Sequence, residues 1–193
     1  MGDPSSTAPP GEPPSSAGEA AGVAQRLDAQ ALSRILILGN SGAGKSWLAE
    51  RLAARLGLPA LDLDLIHWEP GAYGRARERE AARAQVRAAA AREGWIIEGV
   101  YGWLAAVAIP RATAMIWVRP PVEECAGNLR CRGIRRGADT AALDALIGWA
   151  GDYDLRSDTS SRAGHATLFE AFAGPRLILA SRADMEALLA SLP

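Results

Sequence analysis

The sequence contains a single lysine, Lys45, although lysine and arginine together account for 21 of its 193 residues. This scarcity excludes the Asn-Lys-x-Asp motif with which ordinary GTPases read guanine, because the only lysine belongs to a different motif. A chain that uses arginine almost everywhere retains lysine where a slim, compact ammonium group is needed. Lys45 is therefore the first candidate for a functional residue.

Other features are absent too, and each absence excludes a class of protein. The only two cysteines, Cys125 and Cys131, are too few and too close for a disulfide framework or a zinc site. There is no run of 18 apolar residues and no secretory signal pattern, so we expect a cytoplasmic protein without a membrane span. The net charge of −1 makes a nucleic-acid partner unlikely, and we expect a monomer or a homodimer.

The chain divides into a short tail and one domain. Residues 1–30 are rich in Pro, Ser, Gly and Ala, have few large apolar side chains, and are predicted to be mostly disordered. Residues 31–193 are long enough, in a chain that is 49% hydrophobic, to form one globular domain around a sizeable core.

Within this domain, short apolar segments alternate with amphipathic ones. This alternation is typical of an α/β protein whose parallel sheet is covered by helices on both faces, in three α/β/α layers. The predicted strands are 34–38, 60–65, 95–98, 113–118 and 176–180, and the predicted helices are 45–56, 77–93, 121–132, 139–153, 166–173 and 183–192.

A phosphate-binding motif lies between the first strand and the first helix. Its sequence, GNSGAGKS, matches G-x-x-x-x-G-K-[ST], a loop whose backbone N–H groups surround the phosphates of ATP. Lys45 is expected to contact the transferred phosphate as a catalytic residue, and Ser46 is expected to ligate Mg²⁺. The predicted nucleotide-binding residues of this segment are Gly39, Asn40, Ser41, Gly42, Ala43, Gly44, Lys45, Ser46 and Trp47.

Acidic residues end two of the predicted strands, where ligands of such sheets bind. Alternation along the strand 60–65 predicts that Asp62 and Asp64 point to the same side. Either side chain could hold an acceptor hydroxyl, act as its base or hold magnesium through water, and we favour Asp64 as the catalytic base. Asp62 and Glu98 are the predicted metal-associated acids, although Glu98 could also be a surface acid before a turn.

Aromatic and basic residues follow the same edge of the sheet. Two aromatic loops, HWEPG from His67 to Gly71 and VYGW with Tyr101 and Trp103 at 100–103, could form an acceptor pocket. The alternative is that Trp68 and Trp103 simply cover the core. An arginine cluster ends the helix 121–132, and mobile guanidinium groups of this kind can neutralise the charge of a transferring phosphate. Within the cluster of Arg130, Arg132, Arg135 and Arg136, the favoured catalytic residues are Arg132 and then Arg130; a solvated helix end is the alternative.

These segments together resemble adenylate-kinase-like P-loop proteins, in the branch often labelled DNA-topology modulation proteins. The resemblance covers most of 34–137 and is looser beyond 138. It is carried by GNSGAGKSWLA at 39–49, LDLDLIHWEPG at 61–71, WIIEGVYG at 95–102, PRATAMIWVRPP at 110–121 and NLRCRGIRRG at 128–137.

The resemblance implies the P-loop nucleoside triphosphate hydrolase fold, with five parallel strands in the order 2-3-1-4-5. It also implies an arginine-bearing lid at about 130–137 and an acceptor-binding region at about 66–93. By the same resemblance, the base of ATP would pack near Arg130 and near Ser181 and Arg182.

One departure from that family concerns the acceptor. Nucleoside monophosphate kinases usually carry D-G-[FY]-P-R after the third strand, whereas this chain reads Glu98-Gly99-Val100-Tyr101-Gly102. The arginine that binds an acceptor phosphate is missing there, and only Arg111 and Arg119 are nearby in sequence. The sequence predicts an ATP- and Mg²⁺-dependent kinase acting on an unidentified small molecule. The alternatives are a regulatory ATPase and a nucleic-acid-associated factor with little kinase activity.

Overall fold

The computed structural model describes residues 32–70, 72–133 and 139–192, with the backbone alone at 72 and 73. The predicted tail 1–30 lies outside the described residues, as do Arg135 and Arg136 of the arginine cluster. The elements follow along the chain as β1 (Arg34–Gly39), α1 (Lys45–Leu56), β2 (Ala60–Asp62), α2 (Leu63–His67), β3 (Trp68–Glu69), β4 (Ala72–Ala76), α3 (Arg79–Ala90), β5 (Trp95–Gly99), α4 (Gly102–Ala108), β6 (Ala114–Val118), α5 (Val122–Arg132), α6 (Thr140–Gly151), α7 (Arg162–Ala171), β7 (Arg176–Leu179) and α8 (Arg182–Ser191).

Five of these strands form one parallel sheet in the order β2-β5-β1-β6-β7. Counted within this sheet alone, the order is 2-3-1-4-5, which confirms the prediction. β1 is central, and every residue from Ile35 to Gly39 is buried, as expected of a strand covered on both faces.

The two faces of the sheet pack against different helices. Ile35 and Ile37 point to one side, where α1 and α8 cover them, and Leu36 and Leu38 point to the other, towards α2, α3, α4 and α7. The predicted three-layer α/β/α class is therefore confirmed. Among the described residues, no helix has the length and apolar character that crossing a membrane requires.

The predicted second strand, 60–65, is wrong in its second half. The strand ends at Asp62, whose carboxylate accepts the backbone N–H of Asp64 at 2.7 Å and so caps α2. The alternating pattern of Leu and Asp favours a strand, but the capping aspartate starts a helix instead. Asp62 and Asp64 consequently do not share one face of a strand.

Two further elements are absent from the sequence prediction. The antiparallel hairpin of β3 and β4 and the helix α4 begin in the two segments that the sequence indicated only as aromatic loops, and they extend beyond them. Side-chain caps explain shifted helix starts elsewhere. The Glu78 carboxylate accepts two backbone N–H groups at the start of α3, and the Ser161 hydroxyl caps α7 four residues earlier than predicted.

Candidate active site

The turn between β1 and α1 has the backbone that a phosphate-binding loop needs. Gly39 and Gly42 have φ of 153° and 81°, a region that side chains disfavour. A Cβ atom at Gly42 would lie 2.3 Å from the carbonyl oxygen of Cys125, and one at Gly39 would lie 2.2 Å from that of Val118. Glycine is therefore required at both positions by conformation and by space.

Hydrogen bonds from outside the loop hold it in place. The Asn40 side chain is buried, accepts the Ser41 N–H at 2.8 Å, and donates to the carbonyl oxygen of Ala150 at the end of α6, also at 2.8 Å. Asn128 of α5 donates to the Gly42 carbonyl at 2.9 Å. Asn40 thus acts as a positioning residue in this structure, and its side chain joins the loop to α6.

Lys45 is the first residue of α1 and is buried, with 8% of its surface exposed. Its ammonium nitrogen donates to the carbonyl oxygen of Asn40 at 2.9 Å, across the curve of the loop. The cation is thereby held beside the backbone that would surround phosphate oxygens. This position agrees with the role that the sequence predicts for Lys45.

Ser46 and Glu98 are joined by a short hydrogen bond. The Ser46 hydroxyl donates to Oε1 of Glu98 at 2.6 Å. Glu98 lies in β5, directly beside Asp62 of β2, and only 3% of its surface is exposed. Burial raises the pKa of Glu98 to about 7; Lys45 opposes this rise and Asp62 adds to it.

These residues line one cavity of about 980 Å³. It begins at the phosphate loop, passes Asp62, Asp64 and Glu98, and is covered on the opposite side by α5 and α6. The predicted site residues that line it are Ser41, Gly42, Ala43, Gly44, Lys45, Ser46, Trp47, Asp62, Asp64, Glu98, Arg132 and Arg182.

The other predicted site residues lie outside the cavity lining. Gly39 and Asn40 support the loop from behind, and Arg130 is exposed on α5. The Ser181 hydroxyl accepts the Asp184 N–H at 3.1 Å, so it caps α8. The adjoining Arg182 lies over the Trp47 ring, with 3.6 Å between the guanidinium carbon and the ring centroid.

Neither arginine that could replace the missing acceptor arginine lines the cavity. Arg111 lies at the opposite end of the sheet, where its carbonyl oxygen accepts a hydrogen bond from Arg34 at the start of β1. Arg119 has its guanidinium 4.9 Å from the Trp117 ring centroid. The structure therefore gives no support to either residue as an acceptor-binding arginine.

Aromatic side chains from α2, β3 and the residue before α4 gather in one part of the cavity. His67 stacks on Tyr101 with 3.9 Å between ring centroids, and Trp68 meets His67 edge-on at 4.4 Å. All three line the cavity, whereas Trp103 packs behind His67 at 6.0 Å. The sequence indicated both aromatic segments, Tyr101 included, but missed the stacking of Tyr101 on His67.

The apolar wall on α6 was also missed. Leu143, Leu146 and Trp149 lie three residues apart on α6 and line the cavity opposite the acids. The spacing was visible in the sequence, but it equally fits a helix that packs on the core. Only the position of α6 over the phosphate loop distinguishes the two.

A buried chain of hydrogen bonds ends at the Val100 carbonyl, next to Tyr101 of the aromatic side chains. The Trp117 N–H lies 3.2 Å from the Tyr153 oxygen, which is 2.7 Å from Nδ1 of His165, and Nε2 of His165 is 2.9 Å from the Val100 carbonyl. Burial lowers the pKa of His165 to about 4, so the ring is neutral near pH 7. The neutral ring then donates from Nε2 to Val100 and accepts from Tyr153, which satisfies every polar atom of the chain.

The residues that could hold a metal ion do so best together with a bound nucleotide. No group of three or more His, Cys, Asp or Glu side chains within the described ranges is arranged to hold a metal ion. The hydroxyl of Ser46 and the carboxylates of Glu98 and Asp62 are nevertheless the hard oxygen ligands that Mg²⁺ uses when phosphate oxygens complete its coordination. These residues therefore fit a magnesium ion bound together with a nucleotide.

Comparison with known proteins identifies the fold. No protein-family model matches the chain, and no curated protein matches it significantly. Solved structures do match. A shikimate kinase from Bacteroides thetaiotaomicron has a TM-score of 0.53 and 20% identity, over 82% of this chain and 94% of that one. A shikimate kinase from Acinetobacter baumannii, in complex with shikimate, has a TM-score of 0.54 and 14% identity, over 86% and 93%.

A gluconokinase from Sinorhizobium meliloti is similar as well, with a TM-score of 0.51 and 15% identity, over 84% of this chain and 92% of that one. At such identities the likeness concerns the fold alone. It extends over nearly the whole length of each of these proteins. The chain therefore has the fold of small-molecule P-loop kinases.

Proposed function

We propose that the protein is an ATP-dependent phosphotransferase that moves the γ-phosphate of ATP to a hydroxyl group of a small molecule. One observation carries this proposal: the phosphate loop with Lys45 lines the same cavity as three acidic side chains, Asp62 of β2, Glu98 of β5 and Asp64 of α2. A pure nucleotide-binding site needs the loop, but it does not need a second compartment with its own carboxylates. The kinase names of the similar solved structures support the same reaction class.

The phosphate side of the cavity would bind ATP. Backbone N–H groups of the glycine-rich turn and the N-terminus of α1 would donate to phosphate oxygens. Lys45 would exchange its bond to the Asn40 carbonyl for one to the transferred phosphate. Arg182 and Trp47 would contact the adenine base of ATP. Arg132 would neutralise charge on the phosphates, and the exposed Arg130 would have the same role.

Magnesium would be held by Ser46, with Glu98 and Asp62 bound directly or through water. When bound, it would neutralise charge on the phosphates as they react. The Ser46 hydroxyl, now donating to Glu98, would turn its oxygen towards the ion. The ionised form of Glu98 suits this role, and the nearby ammonium of Lys45 favours that form.

The acceptor would bind between the acids and the aromatic side chains. Asp64, in the first turn of α2, lines this part of the cavity and is the proposed base. The acceptor hydroxyl would pass its proton to the Asp64 carboxylate while its oxygen bonds to the γ-phosphorus. The bond from that phosphorus to the bridging oxygen would break, and ADP would leave.

Acceptor-dependent release of ADP by wild-type and Lys45→Met proteins tests this proposal. Methionine keeps the buried stem of Lys45 while removing its charge, so the fold should persist and turnover should fall at least about 100-fold. The exposed change Glu170→Gln, on α7, is the control and should leave turnover unchanged. Near-normal turnover in Lys45→Met, or no acceptor-dependent ADP release across alcohols, sugars and nucleosides, would refute the proposal.

A further inference from the structure

Trp47 lies in the first turn of α1, directly after the phosphate loop, and two guanidinium groups lie over its ring. The guanidinium carbon of Arg182, the first residue of α8, is 3.6 Å from the ring centroid, and that of Arg51, one turn along α1, is 3.9 Å away. Trp47 and Arg182 line the cavity, whereas Arg51 does not. The guanidinium of Arg182 is therefore the one placed to meet a ligand of the cavity.

The contact between Trp47 and Arg182 adjoins the phosphate loop. Met185, one turn into α8, also lines the cavity, and its Cε lies 3.2 Å from the position that a Cβ atom at Gly44 would take. The start of α8 is thus packed against the loop that would surround the phosphates. A nucleotide whose phosphates occupy the loop has Arg182 within reach of its base.

Contacts on two sides restrain the Arg182 side chain. Its guanidinium lies over the Trp47 ring, and its Nε is 4.0 Å from the carboxylate of Glu186, one turn along α8. The side chain is nevertheless 49% exposed, and without these contacts it would sample many rotamers. A base that binds to a restrained arginine loses less conformational entropy than one that must order a free arginine first. The Trp47 ring therefore pre-organises Arg182.

The charges around Arg182 favour contact, rather than net charge, as its role. Glu50 of α1 and Glu124 of α5 line the cavity together with Arg182, and Glu186 adjoins its Nε. These carboxylates offset the positive charge that would otherwise draw phosphate groups to Arg182. A planar guanidinium group also stacks on flat rings, which a compact ammonium group does not do. The base of a nucleotide is the part of the ligand that fits such a surface.

We infer that the nucleotide base stacks on the guanidinium of Arg182, and that Trp47 is the positioning residue that keeps this guanidinium in place. The inference deepens the proposed function, on which it rests for the identity of the ligand as a nucleotide. The base site is then a stacking site, so the larger ring system of a purine gains more from it than a pyrimidine does. Because Trp47 acts through Arg182, changing either side chain removes the same contribution.

Three ligands that share two linked phosphates test the inference, without any acceptor present. ADP carries a purine, UDP carries the smaller pyrimidine, and pyrophosphate carries no nucleoside. Their affinities for the whole chain are measured by calorimetric titration in the presence of Mg²⁺. Wild type is expected to bind ADP at least about tenfold more tightly than pyrophosphate, with UDP between them.

Variants separate stacking from charge. Arg182→Lys keeps the positive charge and removes the planar group, so ADP binding should weaken about tenfold while pyrophosphate binding changes less than about twofold. Trp47→Leu should show the same pattern, and Trp47→Phe, which keeps a ring, should recover most of the lost affinity. Arg51→Ala is the matched control, because it removes the guanidinium over the same ring that does not line the cavity, and both affinities should stay unchanged.

Three results would overturn the inference. Wild type that binds ADP no more tightly than pyrophosphate would show that the base makes no favourable contact. Equal loss of ADP and pyrophosphate affinity in Arg182→Lys would show that Arg182 acts on the phosphates. Unchanged ADP affinity in Arg182→Lys, or a loss in Arg51→Ala equal to that in Trp47→Leu, would show that Trp47 does not act through Arg182.

Phosphate transfer is measured separately, so the two proposals can fail independently. If ADP binding depends on Arg182 and Trp47 as described but no compound in the acceptor screen receives phosphate, the kinase proposal fails and the stacking site stands. If phosphate is transferred but Arg182→Lys binds ADP as tightly as wild type, the kinase proposal stands and the stacking site fails.

Discussion

His67 is a residue whose polar atoms are poorly satisfied by its surroundings. Its Nδ1 atom is buried and has no hydrogen-bond partner among the described residues, while its ring stacks on Tyr101. Burial, and secondarily the charge of Arg79, lower the pKa of His67, so the ring is neutral near pH 7. A buried nitrogen without a partner costs about 1–3 kcal/mol, which suggests that His67 serves ligand binding.

Replacing His67 by phenylalanine separates stacking from hydrogen bonding. His67→Phe keeps an aromatic ring against Tyr101 and removes the unpaired nitrogen, so the free energy of unfolding should stay equal or rise by about 1 kcal/mol. The kcat/KM for the acceptor should fall about tenfold, the value of one hydrogen bond. Urea unfolding and ADP release measure the two effects, with Trp103→Phe as a control outside the cavity. Lower stability together with unchanged kcat/KM would show a purely structural role.

The sequence specifies the positions of individual residues best where the spacing of a motif determines the local backbone. Lys45 and Ser46 lie where the motif places them, because eight consecutive residues determine the shape of the loop. Asp62 and Asp64 do reach the cavity, but the reasoning was wrong, since they belong to a cap and a helix rather than to one strand face. The role of Tyr101 depends on its stacking against His67, a contact between distant segments that no local pattern specifies.

The loop between β5 and α4 is held by an element distant in sequence. His165 of α7 is fully buried and bonds the Val100 carbonyl, one residue before Tyr101. Behind the ring, Tyr153 of the 3-10 helix Asp152–Asp154 joins His165 to Trp117 of β6. The aromatic side of the cavity therefore depends on packing against His165 and Tyr153, which belong to the C-terminal half of the domain.

Tyr153→Phe tests this support. The change removes one hydroxyl and leaves the Trp117 N–H and His165 Nδ1 buried without partners, so the free energy of unfolding should fall by about 1–3 kcal/mol. Chemical denaturation measures the loss, and Thr167→Val, which removes an exposed hydroxyl, should change stability by no more than about 0.5 kcal/mol. Equal stabilities for wild type and Tyr153→Phe would show that the chain of hydrogen bonds does not stabilise the fold.

Elements with strong periodicity or clear stop signals were predicted correctly. The bounds of α1 match the prediction because its leucines repeat every four residues and Gly57 ends it in a left-handed conformation. The short elements α2, β3, β4 and α4 were not, since each depends on tertiary contacts or on a cap more than on its own pattern. Those four elements carry the aromatic side of the site, which is why the acceptor pocket was the least predictable part.

Two buried ionisable groups give the whole molecule opposing dependences on pH. Glu98 has its pKa raised from 4.5 to about 7, so the folded state binds more protons there and stability falls as pH rises through that window. His165 has its pKa lowered from 6.5 to about 4, so the unfolded state binds more protons and stability rises with pH over that window. The two contributions oppose each other where the windows overlap.

Glu98→Gln should expose the contribution of His165. Without metal or nucleotide, the free energy of unfolding of the variant should rise relative to that of wild type as pH increases from about 5 to about 7. Over this range only wild type loses the stability that proton binding at Glu98 gives its folded state. Urea unfolding midpoints across this range measure the difference. Glu170→Gln, an exposed acid change, should track wild type at every pH, and a Glu98→Gln curve parallel to wild type would contradict the burial effect.

At the scale of the molecule, the fold class followed from alternating strand and helix patterns, which depend on many residues and tolerate local errors. Which arginines reach the cavity did not follow, because arginines occur throughout the chain. Only the structure separates Arg132 and Arg182, which line the cavity, from Arg77, which donates to backbone carbonyl oxygens, and from Arg156, which lies over the Trp149 ring and donates to Asp158.

The single bond from Asn40 to Ala150 makes the two ends of α6 unequal. The C-terminal end is fixed to the phosphate loop, while the wall formed by Leu143 and Leu146 lies towards the N-terminal end. A helix of 12 residues is about 18 Å long. The end of α6 that carries Trp149, a side chain of the cavity wall, is therefore bonded directly to the phosphate loop, so a shift of the loop on nucleotide binding would be transmitted first to that wall.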